Sequence, residues 1–410
     1  MNNNRRDFIK KSASLTAAIS VSGLSACTGT GKKGDASENS QGSSPKKVQW
    51  PILDGPDTPK LILTCPREAT PEYMRMLKQI GIDYVLIQWQ DGLPLPWTES
   101  GIRTIMDRFK AEGLTVFNMM LPVVSNSIYN REGRDEEIKQ VQDSLRAAGA
   151  AGLPIIEYNF YAHRLVEGYY HLSGRGGAGY TAFDYSRTGG ISDNLNWINL
   201  KARAAHELNT APKDLAPLPG IGAYTYEQLW DNLTYFLKAV IPVAEKAGVR
   251  MSLHPNDPPV PVSRGSQQIM GTFNDWKRLI DVVDSPSNGM TYDCGVSNEI
   301  GEDPLEVLDY LISRDRINHV HYRNCTVEIP REKYVEVFTD TGTVDMFAVM
   351  QQLVQRKYKF GLYPEHPRSL DYDKEHPGRG NNIGGNYAGF VYTTAYARAM
   401  MQAALTIEKR

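Results

Sequence analysis

Eight short apolar runs, each followed by a stretch of helical periodicity, occupy the chain from residue 61 onward and restrict its fold more than any other feature. The runs lie at 61–64, 82–88, 114–118, 153–159, 249–253, 289–293, 317–321 and 359–364. Apolar residues recur at helical spacing over 71–79, 98–111, 135–148, 224–247, 273–284, 303–313, 344–356 and 389–408. Continuous apolar strands joined by crossover helices imply a parallel sheet covered on both faces. Eight such pairs predict closure into a single (β/α)8 TIM barrel of the α/β class, whose site lies at the C-terminal strand ends. A doubly wound sheet is the alternative. The regularity breaks once, over 161–218, where GRGGAG and many aromatic residues replace the periodic pattern. This is read as a long insertion after strand four, with a short helix near 196–205.

The ends of the chain read differently. Arg5 and Arg6 precede Asp7, Phe8, Ile9 and Lys10, a pattern similar to a twin-arginine export signal. The apolar region that follows, 13–24, is shorter than the roughly 20 residues a spanning helix needs. Leu24-Ser25-Ala26-Cys27 resembles a lipobox, which predicts lipidation at Cys27. Residues 1–27 are thus expected to be an export signal. Residues 28–47 hold almost no apolar side chains and form a flexible linker, and 48–410 form the barrel domain. The expected location is periplasmic or membrane-anchored, with the lipid as the only membrane contact. A formal net charge of −2 over 410 residues offers no basic footprint for nucleic acid, which leaves a small molecule as partner. Four cysteines in a chain of this length are not a disulfide framework; Cys65 and Cys325 read as small buried residues.

The chemistry collects at the ends of the last four strands. VRMSLHPNDPP places His254 where a strand meets a proline-bound turn, and NGMTYDCG does the same for Asp293 and Cys294. INHVHYRN ends on His321, and KFGLYPEHP on Glu365 and His366. A lone histidine is ordinarily a satisfied polar residue. Four ligand-type residues at the same point of consecutive strands instead predict convergence on a divalent metal. Mixed nitrogen and oxygen donors suit Mn²⁺, Fe²⁺ or Zn²⁺ better than Ca²⁺. Asp293 and Cys294 face opposite ways in a strand, so only one can point at the metal. His319 shares a face with His321, but the strand-end position favours His321.

The segments FLKAVIPVAEKAGVRMSLHPNDPPVP, SPSNGMTYDCG, HVHYRN, GTVDMFAVMQQL, the PEH segment and Asn386-Tyr387 resemble the mannonate dehydratase family. The resemblance is dense from about residue 232 to the C-terminus and weaker at LPIIEYNF. It implies a TIM barrel that dehydrates D-mannonate to 2-keto-3-deoxygluconate with Mn²⁺ or Fe²⁺. It makes His254 and His321 metal ligands, Glu365 the fourth ligand, and His366 and Tyr387 acid/base candidates. The third ligand of the family is a cysteine; by position that place falls on Asp293 here, with Cys294 as the alternative. Asn159, Asp257 and Arg323 are the substrate-binding candidates. The departures lie in the first half of the barrel. LILTCPRE stands where the family carries a Trp-Arg-Trp-Tyr-Gly strand, with Arg67 nearby but unmatched, and Gln88-Trp89-Gln90 replaces paired histidines.

Three functions follow as expectations. The first is a metal-dependent carbon–oxygen lyase resembling mannonate dehydratase. The second is a divalent-metal isomerase or epimerase of neutral sugars, or a keto-sugar lyase, of the xylose-isomerase-like type. The third is a carbohydrate-binding surface lipoprotein without enzymatic activity.

Overall fold

A computed structural model describes residues 48–409 except 49, 51, 53, 89–90, 165–166, 189–209 and 377–385. The expected export signal with Arg5, Arg6 and Cys27, and the expected helix near 196–205, lie outside the described residues. No helix among the described residues is long and apolar enough to cross a membrane.

The first four barrel strands are β1 (Lys60–Thr64), β2 (Tyr84–Ile87), β3 (Thr115–Met120) and β4 (Ile155–Tyr158). Strands β5 (Tyr169–Ser173) and β6 (Gly179–Asp184) follow outside the barrel. β7 (Arg250–Leu253) rejoins it, and β8 (Val262–Ser263) and β9 (Ser266–Gln267) form a small hairpin. β10 (Asn288–Asp293) and β11 (Ile317–His321) are barrel strands, β12 (Asn324–Ile329) and β13 (Lys333–Val337) lie outside, and β14 (Gly361–Tyr363) completes the circuit. The closed order is β1-β14-β11-β10-β7-β4-β3-β2, and every neighbouring pair is parallel. Closure is direct: Lys60 and Leu61 pair with Gly361 and Leu362.

The outer layer is built from helices that start where the sequence supplies a cap. In chain order they are α1 (Pro71–Gln79), α2 (Glu99–Ala111), α3 (Ser125–Ile128), α4 (Arg134–Ala151), α5 (Tyr226–Ala247) and α6 (Phe273–Val282). They continue with α7 (Cys294–Glu299), α8 (Pro304–Ile312), α9 (Met346–Gln355), α10 (Asp371–Glu375) and α11 (Tyr387–Lys409). The side chains of Thr70, Thr98, Thr225 and Thr272 each accept a backbone N–H of the first turn. At α5 the cap is reciprocal, with Gln228 bonding back to the Thr225 backbone. Gly248 ends that helix at φ 69°, in the left-handed region, and turns the chain straight into β7.

The insertion after β4 is more regular than its sequence suggests. β5 and β6 pair antiparallel around the GRGGAG turn, then join β13 and β12 in a four-stranded sheet of order β12-β13-β6-β5. Half of that accessory sheet therefore comes from the connection after β11, which reaches back about 150 residues to pair Lys333 with Asp184 and Tyr334 with Phe183.

Candidate metal centre

The barrel carries four of the sequence-predicted ligands to one point. One ligand atom each from His254, Asp293, His321 and Glu365 lies within 4.8 Å of all the others. His254 follows β7, Asp293 and His321 end β10 and β11, and Glu365 follows β14. Asp293 and His321 are register partners in neighbouring strands. His321 Nδ1 is 3.0 Å from His254 Nε2, 2.7 Å from Glu365 Oε2 and 3.6 Å from Asp293 Oδ2. Asp293 is fully buried, and the Glu365 side chain is 14% exposed.

Supporting contacts fix how these groups point. His254 Nδ1 is 2.6 Å from the Pro255 carbonyl, which accepts its proton and leaves the Nε2 lone pair facing the cluster. The Tyr161 hydroxyl donates to the same carbonyl at 2.9 Å. Asp293 Oδ1 accepts the Val296 N–H at the start of α7, and Oδ2 accepts Arg323 Nε at 2.9 Å. Burial opposes the Asp293 charge, yet the Arg323 guanidinium and His321 hold its carboxyl well below the usual range. Burial likewise opposes the charge of Glu365, and His321 and His366 overcome it. Burial pushes His254 down to about 4, with His321 acting in the same direction, so its imidazole is neutral. His321 moves the other way, up to about 10: burial opposes its charge, but Glu365 and Asp293 prevail.

This arrangement fits a divalent cation. The donor set is two imidazoles and two carboxylates, a chemistry suited to first-row transition metals. Glu365 Oε2 is buried without an aligned hydrogen bond despite its 2.7 Å approach to His321 Nδ1.

The expected residues do not all sit alike. Of Asp293 and Cys294, Asp293 faces the cluster. The Cys294 thiol turns to the carbonyls of His321 and Arg323, and burial pushes its pKa up to about 12. His319 lies deeper, with Nδ1 3.1 Å from Asn118 Nδ2 and Nε2 3.6 Å from Glu157 Oε1. His319 comes from β11, which neighbours neither β3 (Asn118) nor β4 (Glu157), so these residues meet across the barrel interior. Cys65 and Cys325 are buried free thiols. Asn159 follows β4, and its Oδ1 is buried without a partner.

Three of the expected residues hold partners of their own within the fold. Arg323 and Asp257, read as substrate-binding, are buried against each other at 3.1 Å. The Arg323 guanidinium also donates to Asp293 and, at 2.7 Å, to Glu299, while Asp257 Oδ1 accepts the hydroxyls of Tyr169 and Tyr334. These contacts anchor the cluster from behind Asp293. Tyr387, read as an acid/base group, directs its hydroxyl at the Met76 carbonyl of α1 in the helical layer. His366 does lie beside the cluster, with Nε2 3.4 Å from Glu365 Oε1. Its Nδ1 is 3.1 Å from Glu336 Oε1.

Glu157, Glu299, Glu336 and Arg368 were not found from sequence. Only Glu157 gave a signal, as a lone acid within the apolar run LPIIEYN. Glu336 sits in the accessory sheet, whose strands show no strong periodicity.

A closed parallel barrel with mixed nitrogen and oxygen ligands at the C-terminal ends of its last four strands defines the class: a TIM-barrel enzyme with a candidate metal centre. The family model described as D-mannonate dehydratase (UxuA) matches residues 70–407, and the chain belongs to that family. Mannonate dehydratase of Streptococcus pneumoniae (strain 70585) is 29% identical over 315 residues, covering 72% of this chain and 82% of the relative. That of Streptococcus suis (strain 05ZYH33) is 30% identical over 290 residues, covering 66% and 75%. The crystal structure of mannonate dehydratase from Streptococcus suis serotype 2 superposes with a TM-score of 0.68 at 24% identity, over 85% of this chain and 96% of that one. A xylose isomerase-like TIM barrel from Mycobacterium smegmatis, solved in complex with magnesium, shares the fold with a TM-score of 0.50 at 13% identity, over 86% and 100%.

Proposed function

We propose that this chain is a metal-dependent hydro-lyase that converts D-mannonate to 2-keto-3-deoxygluconate and water. The observation that carries the reading is the convergence of His254, Asp293, His321 and Glu365 within 4.8 Å at the barrel mouth. Those four residues would hold the ion, Mn²⁺ or Fe²⁺. When bound, it supplies Lewis acidity toward a sugar-acid oxygen and lowers the barrier to removing the proton beside the carboxylate. His366 is the group placed to move protons at C2 or at the departing C3 hydroxyl, because Nε2 lies on the Glu365 side of its ring. Asn159 offers a buried unpartnered amide oxygen to a substrate hydroxyl.

The reading that this is a divalent-metal isomerase or epimerase of neutral sugars draws on Arg323, whose guanidinium is tied to Asp257, Asp293 and Glu299. Metal analysis followed by incubation with D-mannonate, and with a panel of ketoses and aldoses, separates the two. Bound Mn or Fe with 2-keto-3-deoxygluconate as product is the expected result. Bound metal with turnover of neutral sugars alone replaces the lyase reading by the second. Export and lipidation at Cys27 belong to the same proposal, motivated by the Arg5-Arg6 and LSAC motifs. Intact-mass analysis of the membrane fraction tests them: a mature chain starting at an unmodified residue overturns the lipid anchor.

A further inference from the structure

The accessory sheet reaches the candidate centre through one side chain. Glu336 lies on β13, is 1% exposed, and is gripped by an equally buried arginine. Arg368 Nη2 donates to Glu336 Oε2 at 2.8 Å and Arg368 Nη1 to the Glu336 carbonyl at 3.1 Å. Arg368 Nε donates to the His366 carbonyl at 3.0 Å, and Nη2 to it at 2.6 Å. One guanidinium therefore holds both the Glu336 carboxylate and the His366 backbone. His366 has a φ of 47°, in the left-handed region that residues with a side chain rarely adopt, so its placement is imposed by its surroundings. The other oxygen of Glu336 then lies 3.1 Å from His366 Nδ1 and 3.9 Å from Arg323 Nη1, while Nε2 lies on the Glu365 side. The Nδ1···Oε1 contact is not yet aligned as a hydrogen bond, as is common for catalytic pairs before substrate binds.

We propose that Glu336 is a positioning residue for His366: it accepts the Nδ1 proton and so leaves Nε2 as the nitrogen that exchanges a proton with substrate. This rests on the reading of His366 as the proton-moving group. A carboxylate behind an imidazole fixes both tautomer and ring orientation, and the partner of the second nitrogen decides which nitrogen is available. The accessory sheet is then part of the catalytic apparatus, since it delivers the carboxylate that the barrel strands do not.

Glu336→Gln tests this with a directional outcome. Arg368 Nη2 requires an acceptor, so the new amide oxygen takes the Oε2 place and the NH₂ faces His366 Nδ1. A donor at that point forces Nδ1 to accept, and the imidazole proton moves to Nε2. The full chain, labelled with ¹⁵N-histidine and loaded with diamagnetic Zn²⁺, has eight histidines to resolve, and His366→Gln assigns the relevant signal. The expected result is a protonated Nδ1 at His366 in the wild type and in Glu336→Asp, and an unprotonated Nδ1 in Glu336→Gln. With D-mannonate, Glu336→Gln should lose about 10²–10⁴-fold in kcat, the span of one general acid–base group. KM and metal content should stay at wild-type values, and Glu336→Asp should recover part of kcat. An unchanged Nδ1 in Glu336→Gln overturns the proposal, as does an inverted tautomer with unchanged kcat. If the wild type does not turn over D-mannonate, the substrate reading fails by itself, and the Nδ1 signal still decides the role of Glu336.

Discussion

At the scale of single residues, the barrel interior beneath the candidate centre is unusually polar. Glu157 is fully buried, and burial raises its carboxyl from an ordinary 4.5 to about 7, against the opposing pull of His321 and the Asn118 amide. A folded-state value above the unfolded one means that the folded chain holds this proton more tightly. The contribution is fully present below about 4.5 and is lost as pH rises to about 7. The shift corresponds to about 3 kcal/mol at most. Glu157→Gln keeps an acceptor toward Asn118 but cannot ionise. Its stability relative to wild type should therefore climb between pH 4.5 and 7 and level off above, as read by urea unfolding across that range. A flat difference would show that Glu157 stays protonated, or is neutralised, throughout. Arg323 presents the opposite case, a buried cation that three carboxylates need. Arg323→Met leaves Asp257, Asp293 and Glu299 without their shared counter-charge. Breaking a buried ion group from one side costs about 3–5 kcal/mol. Thermal unfolding should show that loss even in the presence of metal; a melting temperature equal to wild type would mean the cluster relaxes by taking up protons.

At the scale of elements, the eight barrel strands and their helices could be read because each strand is buried on both faces. Two-sided burial writes a continuous apolar run into the sequence, such as LILT or YVLI flanked by turn residues. The accessory sheet could not be read the same way. Tyr169–Ser173 carries the burial pattern of a strand covered at one end only, and Lys333–Val337 finds its partner β6 far away in sequence. The same distinction separates the residues of the site. Those at barrel-strand ends were legible from topology, whereas Glu336 and Arg368 depend on pairing that local pattern does not encode. One element contact makes a sharp prediction. Gly149 lies near the end of α4, where a Cβ would come within 2.2 Å of the Ala247 carbonyl at the end of α5. Replacing a helical glycine by alanine ordinarily gains up to about 1 kcal/mol. Here the two helices must separate, and overpacking of this kind costs about 1–3 kcal/mol. Gly149→Ala should lower the melting temperature, and a rise would mean that α4 and α5 have room to move apart.

At the scale of the whole molecule, the barrel is a device for collecting strand ends, and a cation bound where they meet would tie the collected groups together. Asp293 and Glu365 both remain ionised within reach of one another, and His254 turns its Nε2 lone pair to the same spot, 3.0 Å from His321 Nδ1. The strands that bring them together, β7, β10, β11 and the end of β14, form one side of the barrel. A ligand held by four strand ends binds the folded chain and not the unfolded one. Saturation at 100 times its dissociation constant stabilises by about 2.7 kcal/mol. At about 2–4 °C per kcal/mol for a large domain, chelation should lower the melting temperature by several degrees, and Mn²⁺ or Fe²⁺ should restore it. His254→Ala removes one imidazole from the set but leaves the barrel strands intact, so its melting temperature should no longer respond to chelator and its metal content should fall with its activity. Because metal binding needs a neutral His321, whose proton is held up to about 10, loading near neutral pH should also release protons, and the restoring metal concentration should fall as pH rises. Identical melting of chelated and loaded wild type, together with stoichiometric metal in His254→Ala, would place the ion elsewhere and leave these four residues as a buried charge network.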